Sequence, residues 1–190
     1  MYSTCPSPVL RSPGYTLLEM LVVVSILGIL LAWGVPGLFK YTRSIRYTSS
    51  VNAFITVLQQ ARSSAITRNE AIEICPVVNQ SSTCESESTS NWGTGTMISS
   101  KTSGKVIKIQ DSVTGAKVTL SSNYDNTFAK AGRIIFTPTG TVARRSFGSG
   151  SNTMLFTFCG TDLKRKWIRV GPGTLIKAID EWNNDSQDCP

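Results

Sequence analysis

The sequence predicts an α+β fold in which a long N-terminal helix packs on an antiparallel β-sheet. Three observations carry that expectation. In a chain of 190 residues, Glu19 is the only charge between Tyr15 and Val35. After Pro36-Gly37, apolar and small residues recur at helical spacing (Leu38, Tyr41, Ile45, Thr48, Val51, Ile55, Leu58, Ala61 and Ala65), so the helix resumes to about Arg68. Beyond Asn69 the pattern changes to short strand-like runs at 71–78, 94–99, 105–109, 117–120, 133–137, 154–159, 166–170 and 174–178. Clusters of Gly, Ser, Asn, Pro and Thr separate them, and these are turn signals.

The apolar run comes first in the chain and constrains most. A helix from Tyr15 to Val35 spans roughly 30 Å, the thickness of a bilayer's hydrocarbon core. A cleaved secretory signal would have a shorter apolar stretch, about 7–15 residues, ending at small residues. Trp33-Gly34-Val35-Pro36-Gly37 is a poor site of that kind. The segment reads as a retained membrane helix, with Pro36 expected to kink or loosen it. Glu19 is costly inside such a helix, about 2.5–3.5 kcal/mol on insertion scales, and therefore a functional candidate. Cleavage after Gly14 would free an amine on Tyr15. In a stack of related helices that amine could neutralise the Glu19 carboxylate of a neighbour, since buried charges persist only when paired.

These residues resemble a known signal. Pro13-Gly14-Tyr15-Thr16-Leu17-Leu18-Glu19, followed by the apolar run, is similar to the class III signal of type IV prepilins and pseudopilins. The resemblance implies that a prepilin peptidase cuts after Gly14 and methylates Tyr15, and that Glu19 serves assembly. One departure is the leader, which carries a single basic residue, Arg11. The body narrows the likeness. The stretch from Leu58 to Asn69, the strand Ala71-Ile72-Glu73-Ile74-Cys75-Pro76, Trp92-Gly93-Thr94-Gly95 and the run from Arg133 to Gly140 all resemble the GspH/FimT group. That group holds the H-type pseudopilin of type II secretion and the minor pilins FimT and FimU. The resemblance implies a leader at 1–14, a transmembrane and filament-core helix at 15–36, and a periplasmic pilin-like domain at 37–190.

Topology presents a conflict. Basic residues flanking the helix are Arg11 before it and Lys40, Arg43 and Arg46 after it, which by the positive-inside rule would leave the N-terminus outside. The resemblance requires a cytoplasmic N-terminus, and the cysteines agree with it. Cys75, Cys84, Cys159 and Cys189 all follow the helix, an even number suited to an oxidising compartment. Loop-closure entropy favours pairing neighbours, Cys75–Cys84 and Cys159–Cys189, with a direct Cys75–Cys159 bond left open. The first pair would staple the polar loop at 79–91 to the first strand. The second would tie the tail from Glu181 to Pro190 back onto the sheet.

Composition excludes much chemistry. Histidine is absent, which removes His-based triads and the usual zinc sites, and the cysteine spacings fit no zinc knuckle. Gly148-Ser149-Gly150-Ser151 lacks the closing glycine of a nucleophile elbow, and Gly93-Thr94-Gly95 lacks the lysine of a phosphate loop. No enzyme, metal or cofactor is expected. With 19 Lys+Arg against 12 Asp+Glu the net charge is +7. Arg144, Arg145, Lys164, Arg165, Lys166 and Arg169 could contact DNA phosphates, a reading that rests on charge alone. The C-terminal Gly-Arg-x-Arg motif of DNA-binding FimT proteins is absent, since the comparable stretch begins Gly171-Pro172-Gly173. The expected protein is a minor pilin-like subunit anchored in the bacterial inner membrane. It would be processed by prepilin peptidase and packed with other pilins into a type IV pilus, near the tip. A type II secretion pseudopilin and a DNA-uptake pilin are the alternatives.

Overall fold

A computed structural model describes residues 14–78, 81–86, 89–111, 118–124, 132–143, 153–161, 163–173 and 176–179. One helix, α1 (Leu17–Arg68), runs for 52 residues, and helical backbone continues through Pro36 and Gly37. The chain divides into two compact units between Thr42 and Arg43.

Within the second unit, α1 buries Tyr47, Val51, Phe54, Leu58, Ala61 and Ala65. Spacings of four and three residues alternate along that set, which keeps one stripe facing the core. The expected stripe shares its outer part but starts on the wrong face: Tyr41 and Ile45 are exposed, while Tyr47 and Phe54 point inward. Both phases are helical, and the two aromatics decide between them because they carry the larger buried area. The helix ends on Asn69, whose φ is 51°. Its N–H donates to the Ile66 carbonyl at 3.2 Å and that of Glu70 to Ala65 at 3.3 Å, so the last turn's carbonyls are satisfied by a Schellman-type cap.

Eight strands follow: β1 (Ile72–Pro76), β2 (Gly95–Ser100), β3 (Val106–Asp111), β4 (Val118–Tyr124), β5 (Ile134–Phe136), β6 (Met154–Gly160), β7 (Lys166–Val170) and β8 (Ile176–Ile179). All eight strand-like runs of the sequence become strands. They form two four-stranded antiparallel sheets, ordered β3-β2-β1-β5 and β4-β6-β7-β8, where the sequence had suggested one. Pairing partners set this, and strand patterns do not reveal them. Isolated bridges add to the ladders: Asn91, ahead of β2, bridges Ser121 of β4, and Val142 links the sheets by bridging both Phe136 of β5 and Gly173 before β8.

The core lies between the buried stripe of α1 and the inner faces of both sheets. Ile72, Ile74, Ile98, Ile134 and Phe136 come from the first sheet, and Leu120, Phe156, Phe158, Ile168 and Val170 from the second. Phe54 is the hub, with ring centroids 4.9 Å from Phe156, 5.8 Å from Phe158 and 5.9 Å from Trp92. The Trp92 indole N–H is satisfied by Ser122 Oγ at 3.0 Å. On the far side of the first sheet, Cys75, Val77 and Met97 form a smaller cluster with Cys84, Val106 and Ile109. Glu73, beside Cys75 on that face, is buried between Arg133 at 2.7 Å and Lys101 at 3.2 Å. A carboxylate can stay buried there because both oxygens meet a cation.

Candidate functional site

The N-terminal segment is built from its first turn. Thr16 caps α1: its Oγ1 accepts the N–H of Glu19 at 3.2 Å, and its carbonyl accepts the N–H of Met20 at 3.2 Å. Thr-x-x-Glu is the sequence form of a capping box, and the Glu19 charge lies in the first turn, where the helix dipole favours an anion. The Thr-x-x-Glu spacing is a signal legible in the sequence, beyond the Gly14, Tyr15 and Glu19 of the expected site. Gly14, just before the cap, has no atom within 4 Å of where a side chain would start, and Tyr15 is 75% exposed. Behind the cap, Leu17, Leu21, Val24, Ile26 and Leu30 are all exposed. The one hydroxyl among them, Ser25, donates to the Leu21 carbonyl at 2.7 Å and so carries no unmet donor into an apolar setting. Among the described residues, no helix is long and apolar enough to cross a membrane. Described side chains of the apolar run stop at Leu31, and the sequence extends it to Val35.

Of the six basic candidates, four lie among the described residues. Arg144 and Arg145 lie outside the described residues. Strand alternation puts Lys166 on the α1 side of β7, where its Nζ sits 5.9 Å from the Tyr47 ring centroid, and puts Arg169 on the opposite face, paired with Leu155 and Lys177. Lys164 and Arg165 occupy the β6–β7 turn. Tyr47 fastens that turn: its hydroxyl donates, shared, to the carbonyls of Phe158 and Lys164, both at 3.0 Å. Burial pushes the phenol's pKa up to about 12, so it stays a neutral donor.

Of the cysteines, Cys75 and Cys84 are bonded, with their Cα atoms 5.6 Å apart. The direct Cys75–Cys159 alternative is thereby excluded. Cys159 is disulfide-bonded as well, and Cys189, its expected partner, lies outside the described residues. The Cys75–Cys84 bond and the Glu85 N–H, which donates to the Pro76 carbonyl at 2.9 Å, hold the polar loop on β1.

A family model described as Type II transport protein GspH matches residues 50–174, and the prokaryotic N-terminal methylation motif matches residues 10–35. The chain belongs to the GspH family. Among solved structures, this GspH-family chain is similar to the type IV minor pilin FimU of Pseudomonas aeruginosa strain PAO1 in space group P21. The TM-score is 0.52 at 19% identity, covering 72% of this chain and 90% of that one. FimU in space group P65 gives a TM-score of 0.49 at 19% identity, covering 70% and 91%. At that identity the first likeness establishes the fold, an N-terminal helix on antiparallel sheets as in a type IV pilin. No curated protein matches. As a family member the chain is a pilin-like structural subunit of a type IV pilus or type II secretion filament and not an enzyme. The methylation motif marks it for processing by prepilin peptidase and assembly with other pilins.

Proposed function

We propose that this chain is a minor pilin-like subunit of a type IV pilus. It is cut between Gly14 and Tyr15, methylated on Tyr15, and held in the bacterial inner membrane by the helix at 15–36. The domain at 37–190 faces the periplasm until the subunit packs into the filament near its tip. The observation that carries this reading is the capped first turn, Thr16 to Glu19, at the head of a helix with bare apolar side chains. A bare apolar helix on a folded domain needs a lipid or a bundle of like helices to cover it. In the bundle, Glu19 meets the Tyr15 amine of a neighbour, which removes the cost of burying it.

Mass spectrometry of protein made with prepilin peptidase should find residues 1–14 lost and Tyr15 N-methylated. A mature chain starting at Met1 would overturn the reading. Gly14→Val should block the cut, because a branched side chain does not fit a tight scissile site. Glu19→Ala should insert into membrane at least as well as the parent and yet enter filaments poorly; normal assembly would remove the pairing argument.

A type II secretion pseudopilin is the second reading, favoured by the description of the matched family model. Complementation separates them: rescue of surface pili in a minor-pilin mutant supports the first, and rescue of protein export in a pseudopilin mutant supports the second. DNA uptake has only charge behind it, and β7 turns Lys166 and Arg169 to opposite faces.

A further inference from the structure

Two large apolar side chains are buried on the side of the second sheet that faces away from α1. Phe156, Phe158 and Ile168 point to the core, so strand alternation and register put Leu155, Cys159, Trp167, Arg169, Lys177 and Ile179 on the opposite face. Trp167 is nevertheless only 1% exposed and Leu155 7%. Neither belongs to the core under α1. Thr157 and Ile179 stand directly beside Trp167 on the flanking strands, where they can wall an indole but not roof it. The roof comes from elsewhere in the chain.

We infer that the roof is the C-terminal tail, residues 180–190, an acidic strap seated across Trp167 and latched through Cys159. The tail lies outside the described residues, and three observations select it. The first is the disulfide. Cys159 is bonded, Cys75 and Cys84 are spent on each other, and the cysteines left are Cys5 and Cys189. Cys5 departs with the leader on the processing proposed above, which leaves Cys189. The second is length. Ile179 sits opposite Trp167, and Cys159 lies one strand further and two residues along, about 12 Å from Ile179 in all. The nine residues between Ile179 and Cys189 can reach about 30 Å, and the short path to Cys159 crosses β7 beside Trp167. The third is charge. The face carries Arg169 and Lys177 and, among the described residues, no carboxylate. The tail carries Asp180, Glu181, Asp185 and Asp188 and no basic residue. Exposed ion pairs add little stability, so the charges orient the strap while indole burial and the disulfide hold it. With the strap in place, Trp167 is withheld from other subunits.

Photo-cross-linking of the full chain, made with prepilin peptidase, tests the seat. With p-benzoylphenylalanine in place of Asn184, cross-links should map to peptides containing residues 165–169. Cross-links confined to the first sheet or to the tail itself overturn the inference. Disulfide mapping of the same protein keeps the strap and the processing apart. A Cys159–Cys189 peptide is expected; Cys159 joined to Cys5 overturns the strap and the leader cleavage together, whereas Cys159–Cys189 without a cross-link to β7 overturns the strap alone. Hydroxyl-radical footprinting gives a second reading. In a chain ending at Ile179, Trp167 should be oxidised about tenfold faster than in the full chain, with the core Trp92 unchanged. Trp167 still protected beside a protected Trp92 assigns the roof to the segment at 144–152 or to neighbouring strand side chains, and overturns the inference. If Trp92 becomes reactive as well, the shortened chain has unfolded and the cross-link decides.

Discussion

The hydroxyl of Tyr47 on α1 donates at 3.0 Å to the carbonyl of Phe158, 111 residues later on β6. That bond and its shared partner at Lys164 tie the helix to the β6–β7 hairpin, and they require a protonated phenol. With the native pKa raised from 10.0 to about 12 by burial, the unfolded chain loses its proton first as pH rises. Stability from this group is therefore complete below pH 10.0 and declines from there to about 12, by about 2 kcal/mol in total. Urea titrations of the detergent-solubilised chain between those limits should show a steeper loss for the parent than for Tyr47→Phe, which has nothing to ionise. Parallel pH profiles would refute it.

Phe54→Ala should be the most damaging single change in the core. The ring is fully buried and in contact with Trp92, Phe156 and Phe158. Its removal leaves a cavity between helix and sheet, at about 3–5 kcal/mol. Phe54→Leu, which refills part of the space, should lose less. The urea midpoint followed by tryptophan fluorescence reads both, since Trp92 is an edge-on neighbour of the ring.

Cys75→Ala should lower stability by about 2–3 kcal/mol, the loop-closure value for so short a ring. Cys84→Ala should match it, and the double variant should lose no more than either single one, because both delete the same bond. Unequal losses would show that one cysteine matters chiefly through packing with Val77 and Met97.

Gly140→Ala should cost about 1–2 kcal/mol, the penalty for a side chain in the left-handed region. Gly140 has φ +76°, and a Cβ there would stand 2.7 Å from Ile66 Cδ1 on α1. The two contributions separate in an Ile66→Ala background. The Ile66 contact is then gone, while the backbone strain and the approach to Arg62 Nε at 3.3 Å stay, so the same substitution should cost less there, again read as a urea midpoint.

The N-terminal device was legible in the sequence because its signals are local. Gly14, Tyr15 and Glu19 form a motif within six residues, matched by the N-terminal methylation motif at 10–35, and the apolar run declares itself by composition. The helix end at Arg68 and the eight strands were legible for the same reason, through spacing and turn residues. Cys75–Cys84 followed from loop length alone. Tertiary structure decided what depends on partners far along the chain. Two helical phases fit α1, and Trp92 with Phe156 and Phe158 selected the one that buries Phe54. Which strands hydrogen-bond to which split the expected single sheet into two. Glu73 looked like an ordinary strand residue until β2 and β5 brought Lys101 and Arg133 to it. Lys166 and Arg169 read as one basic run until the pleat of β7 turned them to opposite faces. The physical reason is the same throughout: propensity and periodicity are properties of neighbours in sequence, while burial and pairing belong to residues that only folding makes neighbours.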